Sequence, residues 1–477
     1  MMNTQELHVD VGFDAARYLY VHQLQNWKEQ FSDTANGERL VRKYGDVIRY
    51  NPDWKKWLVW EGKRWKTDDG PLIHEKGLEV IRDMYELMNE AHSWREADEI
   101  ERKVKQVESV RRRKAMIESA SLKKEIEIKS QEVDTDPELL NVENGTVNLR
   151  TGVLQEHCKE NMITKMAKVT YDPNADCPLW KQFIREIMGN NPDLITFLQV
   201  VAGWAVTGDT SEQCMFFLYG SGANGKSTFL NVLMKILGDY AMSSSTETFM
   251  KKNSEQISND IARLRGARFV TTAEAEEGRR LSETLIKQIT GNDSMTARFL
   301  YGEFFTFTPS FKIFMATNHK PSIRGTDHGI WRRIKLIPFT TTIPYEKMDR
   351  NLEEKLLSEA SGILNWLIEG AMAWYEVGGL VEPLCISNAT KEYKEEMDLF
   401  GAFLSDRCLQ KPNAKVQVSK LSNAFAEWCE KNNERSCSGH FVSNRMKQMG
   451  FQQERNSKAR YWVGIELIDT NSLGMDG

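Results

Sequence analysis

Met215-Phe-Phe-Leu-Tyr-Gly220-Ser-Gly222-Ala223-Asn224-Gly225-Lys226-Ser227-Thr228, running on into Phe229-Leu-Asn-Val-Leu-Met-Lys-Ile-Leu237, is the stretch on which the fold turns. It reads Gly-x4-Gly-Lys-Ser, with an apolar strand before it and an amphipathic helix after it. That context separates a phosphate loop from a chance match. Glycines let the backbone curl until its N–H groups aim at an anion. The helix presents the positive end of its dipole to the same point. Lys226 is expected to reach the β- and γ-phosphates and the Ser227 hydroxyl to ligate a divalent ion. The cofactors expected are therefore ATP and Mg2+, held along Gly220, Gly222, Ala223, Asn224, Gly225, Lys226, Ser227 and Thr228.

Downstream, the motor needs an acid at the end of a neighbouring strand to orient water and help hold Mg2+. Ala267-Arg-Phe-Val-Thr-Thr-Ala-Glu274-Ala-Glu276-Glu277 supplies Glu274 and Glu276 where such a strand ends, with Glu274 the better placed. A helix with Lys287, a Gly291-Asn-Asp293 turn and a hairpin from Arg298 with its tip near Tyr301-Gly302 follow. The strand Phe311-Lys-Ile-Phe-Met-Ala-Thr ends in Asn318, whose side chain could meet the γ-phosphate or the attacking water. Arg332 and Arg333, before Ile-Lys-Leu-Ile-Pro-Phe339, are candidates for a finger that completes the ATP site of an adjacent subunit.

This order of elements resembles the superfamily 3 helicases of small viruses, phages and plasmids, most of all their poxvirus-type helicase-primase branch. The resemblance rests on Gly220–Thr228, Glu274–Glu276, Lys287…Gly291-Asn-Asp293…Arg298, Ala316-Thr-Asn318 and Trp331-Arg332-Arg333…Ile337-Pro-Phe339. It implies Glu274, alone or with Glu276, as the Walker B acid and Mg2+ ligand, Asn318 as sensor 1, and Arg332 or Arg333 as the finger. It also implies that the hairpin around Arg298–Glu303, with Tyr301 at its tip, enters a central DNA channel, with Lys287 a further DNA contact. Two features depart from the pattern: the acids read Glu-Ala-Glu rather than side by side, and the hairpin tip lacks the Lys-His pair of papillomavirus relatives.

Ahead of the motor, Trp54-Lys-Lys-Trp57-Leu-Val-Trp60 and Trp65 predict short strands about a turn at Glu61-Gly62, with a helix from Glu75 to Glu90. Core packing is the expected role of these tryptophans, with base stacking the alternative. Residues 93–132 are highly charged around Arg111-Arg112-Arg113-Lys114, but Ile100, Val104, Val107 and Ile117 recur at helical spacing and predict a long helix or helical hairpin. Behind the motor, residues 398–467 predict a helix, a short strand at Val416–Val418, helices at Lys420–Lys431 and Phe441–Met449, and a hairpin from Phe451 to Leu467. That outline is winged-helix-like. Ser443–Lys447 would enter a groove, and Lys458 and Arg460 would touch phosphates; a domain that merely caps a ring is the alternative.

The fold class expected is thus α/β: a P-loop, AAA+-like motor at 176–395, after a mixed α+β domain at 1–175 and before a winged-helix-like domain at 396–477. With 477 residues and a net charge of −5, the chain is no uniformly basic coat, although one face or channel can still bind a backbone. No apolar run is long enough to span a membrane and the first residues lack a secretion pattern. Seven scattered cysteines without a Cys-x-x-Cys pair fit a reducing, cytoplasmic setting, bacterial if a phage or mobile element encodes the chain. Cys429, Cys437 and His440 match no zinc template.

The reading is an ATP-dependent DNA helicase, a homo-hexameric ring on single-stranded or forked DNA. The only Asp-x-Asp, at Asp134 and Asp136, falls in a polar loop, so a separate primase or polymerase is expected to prime. Two alternatives stand beside it: a P-loop switch or packaging motor that does not unwind, and a non-catalytic initiator bound through residues 398–467.

Overall fold

The computed structural model describes residues 31–251, 259–272, 278–298, 304–325, 327–432, 438–457 and 459–468. The chain opens with α1 (Asp33–Tyr44), whose first turn is capped by the Ser32 hydroxyl. An antiparallel sheet follows, of β1 (Ile48–Asn51), β2 (Lys56–Trp60) and β3 (Trp65–Asp68). The Asp68 carboxylate takes the Leu72 and Ile73 amides at 3.2 and 2.8 Å, which starts α2 (Pro71–Glu86) with a proline in the first turn, where no amide is lost. The charged segment folds as two helices, α3 (Trp94–Val107) and α4 (Val110–Ser121), broken at Ser109. Ile100, Val104, Val107 and Ile117 are buried, as their spacing requires, while Arg111, Arg112 and Lys114 are exposed. Trp57 and Trp65 are core residues.

A second small sheet, β4 (Leu139–Val142), β5 (Gly145–Asn148) and β6 (Leu154–Gln155), leads to α5 (Pro178–Ile187) and α6 (Pro192–Val206). Then come β7 (Met215–Tyr219), α7 (Lys226–Leu237), β8 (Ala241–Ser244), α8 (Asn259–Arg263), β9 (Phe269–Thr272) and α9 (Glu283–Ile289). The hairpin strands β10 (Met295–Arg298) and β11 (Phe304–Phe307) pair antiparallel, Arg298 opposite Phe304. After them lie β12 (Lys312–Thr317), α10 (His328–Trp331) and β13 (Ile334–Pro338). Five of these strands form one all-parallel sheet in the order β13-β7-β12-β9-β8. Their burial on both faces explains the unbroken apolar runs, since helices cover both sides of such a sheet.

After α11 (Leu352–Leu357), α12 (Ala360–Val377) returns to lie along α6. The two cross so closely that a methyl group on Gly203 would run into the Ala371 amide, and one on Gly370 into the Gln199 carbonyl. One core cluster joins residues from before, within and after the motor: Trp180 stacks on Phe229 at 5.7 Å and meets Trp366 edge-on at 5.5 Å.

Following α13 (Leu384–Met397), the chain ends in α14 (Leu399–Arg407), β14 (Cys408–Gln417), α15 (Val418–Lys431), α16 (Gly439–Gln448), β15 (Gln453–Arg455) and β16 (Arg460–Leu467). These close a separate core around Phe403, Phe425 and Trp462, with strand order β14-β16-β15. The strand expected at Val416–Val418 is longer at its N-terminal side: it begins at Cys408 and pairs with β16 on both sides of an irregularity between Gln410 and Lys415. Pro412 falls in that interruption, where the missing amide costs no ladder bond. Among the described residues no helix is long and apolar enough to cross a membrane.

Candidate functional site

The loop from Gly220 to Gly225 leaves the C-terminal end of β7 and enters α7. Its path is fixed by neighbours. A side chain on Gly220 would strike the Phe339 carbonyl, and one on Gly225 (φ 83°) would press on Ile187 at 2.5 Å. Asn224 donates to the Phe339 carbonyl at 3.1 Å, and the Ile343 amide donates to Ala223 at 2.7 Å, so the loop is clamped to the end of β13. At Gly222 (φ 102°) the space is open.

Lys226 is buried. Its ammonium donates to the Gly220 carbonyl at 2.6 Å, to Asn224 Oδ1 at 3.0 Å and to Asn318 Oδ1 at 3.0 Å. Asn318 stands at the tip of β12, directly beside β7, which puts the expected strand-end amide against the expected lysine. Ser227 is exposed at the first turn of α7, and Thr228 is half-buried behind it. The donor set fits a polyphosphate: a cationic side chain, an open bend at Gly222 and the N-terminal end of a twelve-residue helix belong to one loop–helix junction. Ser227 is the residue there that could hold a divalent ion.

Glu274 and Glu276 lie outside the described residues, as do Tyr301, Cys437 and Lys458. The strand leading to the two acids, β9, is not the immediate neighbour of β7 that a direct reading expects. β12 lies between them, so the end of β9 sits two strand spacings away, roughly 10 Å. Asn318 therefore occupies the middle of the row.

Arg332 and Arg333 part company. Arg333 is buried, its Nε donating to Thr290 Oγ1 at 3.0 Å and Nη1 to the Gly329 carbonyl at 2.6 Å. Burial, and then the adjacent Arg332 charge, pull its pKa below the ordinary arginine value. Two of its nitrogens are thus engaged within its own chain. Arg332 is exposed and, among the described residues, donates only to the neutral Gln213 side chain, at 2.6 Å. Both precede β13 at the end of the sheet opposite the loop, a strand length or about 13 Å away. Arg332 therefore lies too far from the loop of its own chain to be part of that site.

Lys287 forms an ion pair with Asp327, 2.9 and 3.1 Å from the two carboxylate oxygens. Desolvation opposes the charge on Asp327, but Lys287 and backbone amides prevail and hold its pKa below the usual carboxylate range. Arg298 packs over the Phe304 ring at 5.0 Å, across the hairpin. Arg460 is exposed at the start of β16, opposite Arg455. Asp134 and Asp136 are occupied locally: the first accepts from the Thr164 amide at 2.6 Å, the second from the Glu138 amide at 2.8 Å. Among the described residues no group of acids, histidines and cysteines could hold a metal ion.

One charged group escaped sequence reasoning. Lys312 is fully buried at the start of β12, donating to the carbonyls of Thr207, Asp209 and Ser310 at 2.5, 3.1 and 3.2 Å. Burial, reinforced by the Arg268 charge, brings its pKa well below the ordinary lysine value. The sequence gives one signal for it, a lysine set inside an otherwise apolar strand.

Parallel sheet, phosphate-loop geometry and strand-end amide define a P-loop-like α/β protein. Residues 37–189 match a family described as D5 N terminal like, and residues 218–333 match a family of unknown function, DUF5906. A "Putative helicase" of Acanthamoeba polyphaga mimivirus is 28% identical over 343 residues, covering 66% of this chain and 36% of its own. A "Putative primase" of African swine fever virus (strain Badajoz 1971 Vero-adapted) is 26% identical, covering 63% and 34%, and a "Putative helicase" of Frog virus 3 is 27% identical, covering 50% and 26%. The matches thus span about a third or less of these curated relatives. The C-terminal region of NrS-1, solved in its apo form, aligns with 88% of this chain and 96% of its own at a TM-score of 0.49 and 9% identity. The chain thus carries a D5 N terminal like region ahead of its P-loop-like sheet and is similar to viral proteins named putative helicase and putative primase.

Proposed function

We propose that this chain is the ATP-driven motor of a replicative DNA helicase encoded by a virus, phage or mobile element. The observation that carries the proposal is the cradle at Lys226. A buried ammonium, the Asn318 amide and an open backbone bend meet at the head of α7. Bound Mg-ATP supplies the phosphoanhydride whose hydrolysis releases the energy. Lys226 would exchange its contacts with Gly220, Asn224 and Asn318 for phosphate oxygens, Ser227 would hold the divalent ion, and Asn318 would orient the water beside the terminal phosphate. Glu274, or Glu276, takes the water's proton.

The site is completed in a ring, with Arg332 of one copy reaching the loop of the next. Arg332 is preferred to Arg333 because its guanidinium is exposed and, among the described residues, bound to a neutral amide. The β10–β11 hairpin faces DNA in the channel. The C-terminal unit is a winged helix: its order of helix, strand, two helices and two strands is the expected one, with Arg460 at the wing. Relatives bearing helicase and primase names support the replication setting. Priming falls to another polypeptide or domain, since Asp134 and Asp136 are committed to local hydrogen bonds.

The test is ATP turnover with and without single-stranded DNA, on wild type and Lys226→Ala. Turnover that DNA stimulates and the substitution abolishes is expected. Turnover indifferent to DNA points to a switch or packaging motor, and none at all in a ring that binds ATP defeats the motor.

A further inference from the structure

At the end of the parallel sheet opposite the phosphate loop, a cavity of about 350 Å3 opens between the N-terminal region and the motor. Its wall joins segments far apart in sequence: the 130–137 loop, Thr164-Lys165, the turn before β9 with Arg265 and Arg268, and Thr306 and Thr308 at the base of the hairpin strand β11. Three cations line it, Lys165, Arg265 and Arg268, against a single carboxylate, Asp134. That carboxylate is turned to Thr164, accepting its amide at 2.6 Å and its hydroxyl at 2.5 Å. Arg268 is spent on the carbonyls of Val206 and Asp136.

Arg265 is different. Its guanidinium carbon sits over the Trp54 ring, 3.5 Å from the centroid, and 5.9 Å from that of Phe305 on β11. Among the described residues no oxygen accepts a hydrogen bond from it and no carboxylate pairs with it. Lys165 likewise has no side-chain partner among the described residues. Burial lowers the Arg265 pKa to about 10, with Asp134 and Asp53 only partly compensating. Half-buried cations normally carry a partner, because desolvating an unpaired charge is costly. Here a planar guanidinium is fixed by an aromatic face while its donor edge stays open, an arrangement suited to two-point binding of a phosphate.

We propose that this cavity is a second phosphate site, in which Arg265 and Lys165 hold a phosphodiester of single-stranded nucleic acid running past the base of the β10–β11 hairpin. Thr135, Thr306 and Thr308 supply hydroxyls along the same wall. The site rests on the helicase reading for its ligand. It is separate from the Lys226 loop, which lies at the other end of the strands. It also draws the N-terminal region into the motor's work, because Trp54 sets the orientation of a motor residue against the strand.

The experiment measures binding of a labelled thymidine oligonucleotide to the full chain across a range of salt, for wild type, Lys165→Gln and Arg265→Gln. ATP binding is measured in parallel. Each variant should bind the oligonucleotide roughly three- to tenfold more weakly, with the log–log salt slope shallower by about 0.7 for each phosphate no longer neutralised. ATP affinity should be unchanged. Lys165→Gln keeps the proposal testable if Arg265→Gln loosens Trp54 and misfolds. Variants that bind the oligonucleotide like wild type, with the same slope, overturn this inference alone. A wild type that binds no oligonucleotide overturns the helicase reading as well. Protection of Lys165 from amine labelling by inorganic pyrophosphate but not by oligonucleotide overturns the nucleic-acid assignment in favour of a free phosphate ligand.

Discussion

Asn318→Asp changes one atom type and leaves shape intact, so its effect is electrostatic. Asn318 Oδ1 sits 3.0 Å from the Lys226 ammonium. A carboxylate oxygen there would attract the lysine by about 5 kcal/mol at an effective dielectric near 20. Asn318 is only half-buried, so water reduces this, and about 2–3 kcal/mol is a working figure. That energy favours the ligand-free state, because the ammonium must leave the carboxylate to meet phosphate. The new charge also repels the nucleotide. Affinity for a fluorescent ATP analogue should therefore fall by roughly 30- to 160-fold, while the thermal midpoint of the ligand-free protein stays level or rises. Asn318→Ala removes the partner without adding charge. It should spare nucleotide affinity within a few-fold and slow turnover by roughly 10- to 100-fold, the loss of one hydrogen bond to a charged group. If Asn318→Asp bound nucleotide as tightly as wild type, Asn318 would not stand between Lys226 and the phosphates, and the cradle would be misassigned.

The two arginines give opposite phenotypes. Arg332→Ala should leave urea unfolding unchanged yet abolish ATP turnover in the assembled protein. Arg333→Ala should cost about 2–4 kcal/mol of stability by stranding Thr290 and Gly329; equal stability losses would contradict the division. Gly203→Val should destabilise by more than about 3 kcal/mol or yield insoluble protein, since the collision is with the backbone of α12, and denaturant midpoints decide it. Burial pushes the Cys177 thiol up to about 12, so at pH 8 it should resist a thiol reagent until the protein is denatured, whereas exposed Cys158 reacts at once.

What the sequence made legible was local. The P-loop could be read because strand, turn and helix are consecutive, and Asn318 because it ends an apolar run. The helical stripe of Ile100, Val104, Val107 and Ile117 needed no tertiary information. Strand order did: nothing between Gly220 and Asn318 announces that β12 inserts between β7 and β9. The difference between Arg332 and Arg333 depends on which of two adjacent side chains finds Thr290, forty-three positions earlier. The cavity around Arg265 was least accessible, since Trp54, Lys165 and Arg265 share no motif and meet only after both regions have folded.

The crossing of α6 and α12 bears on how the chain is made. During synthesis the motor sheet emerges, from Met215 to Pro338, before α12 exists. Until residue 377 leaves the ribosome, the apolar face of α6 lacks α12 and the Trp180 ring lacks Trp366. A nascent motor therefore waits with this aromatic surface uncovered, open to chaperones or to a neighbouring nascent copy. For the same reason the stretch from about 205 to 345 cannot be excised and transplanted as a working cassette: the helices that seal it come from both sides of the cut.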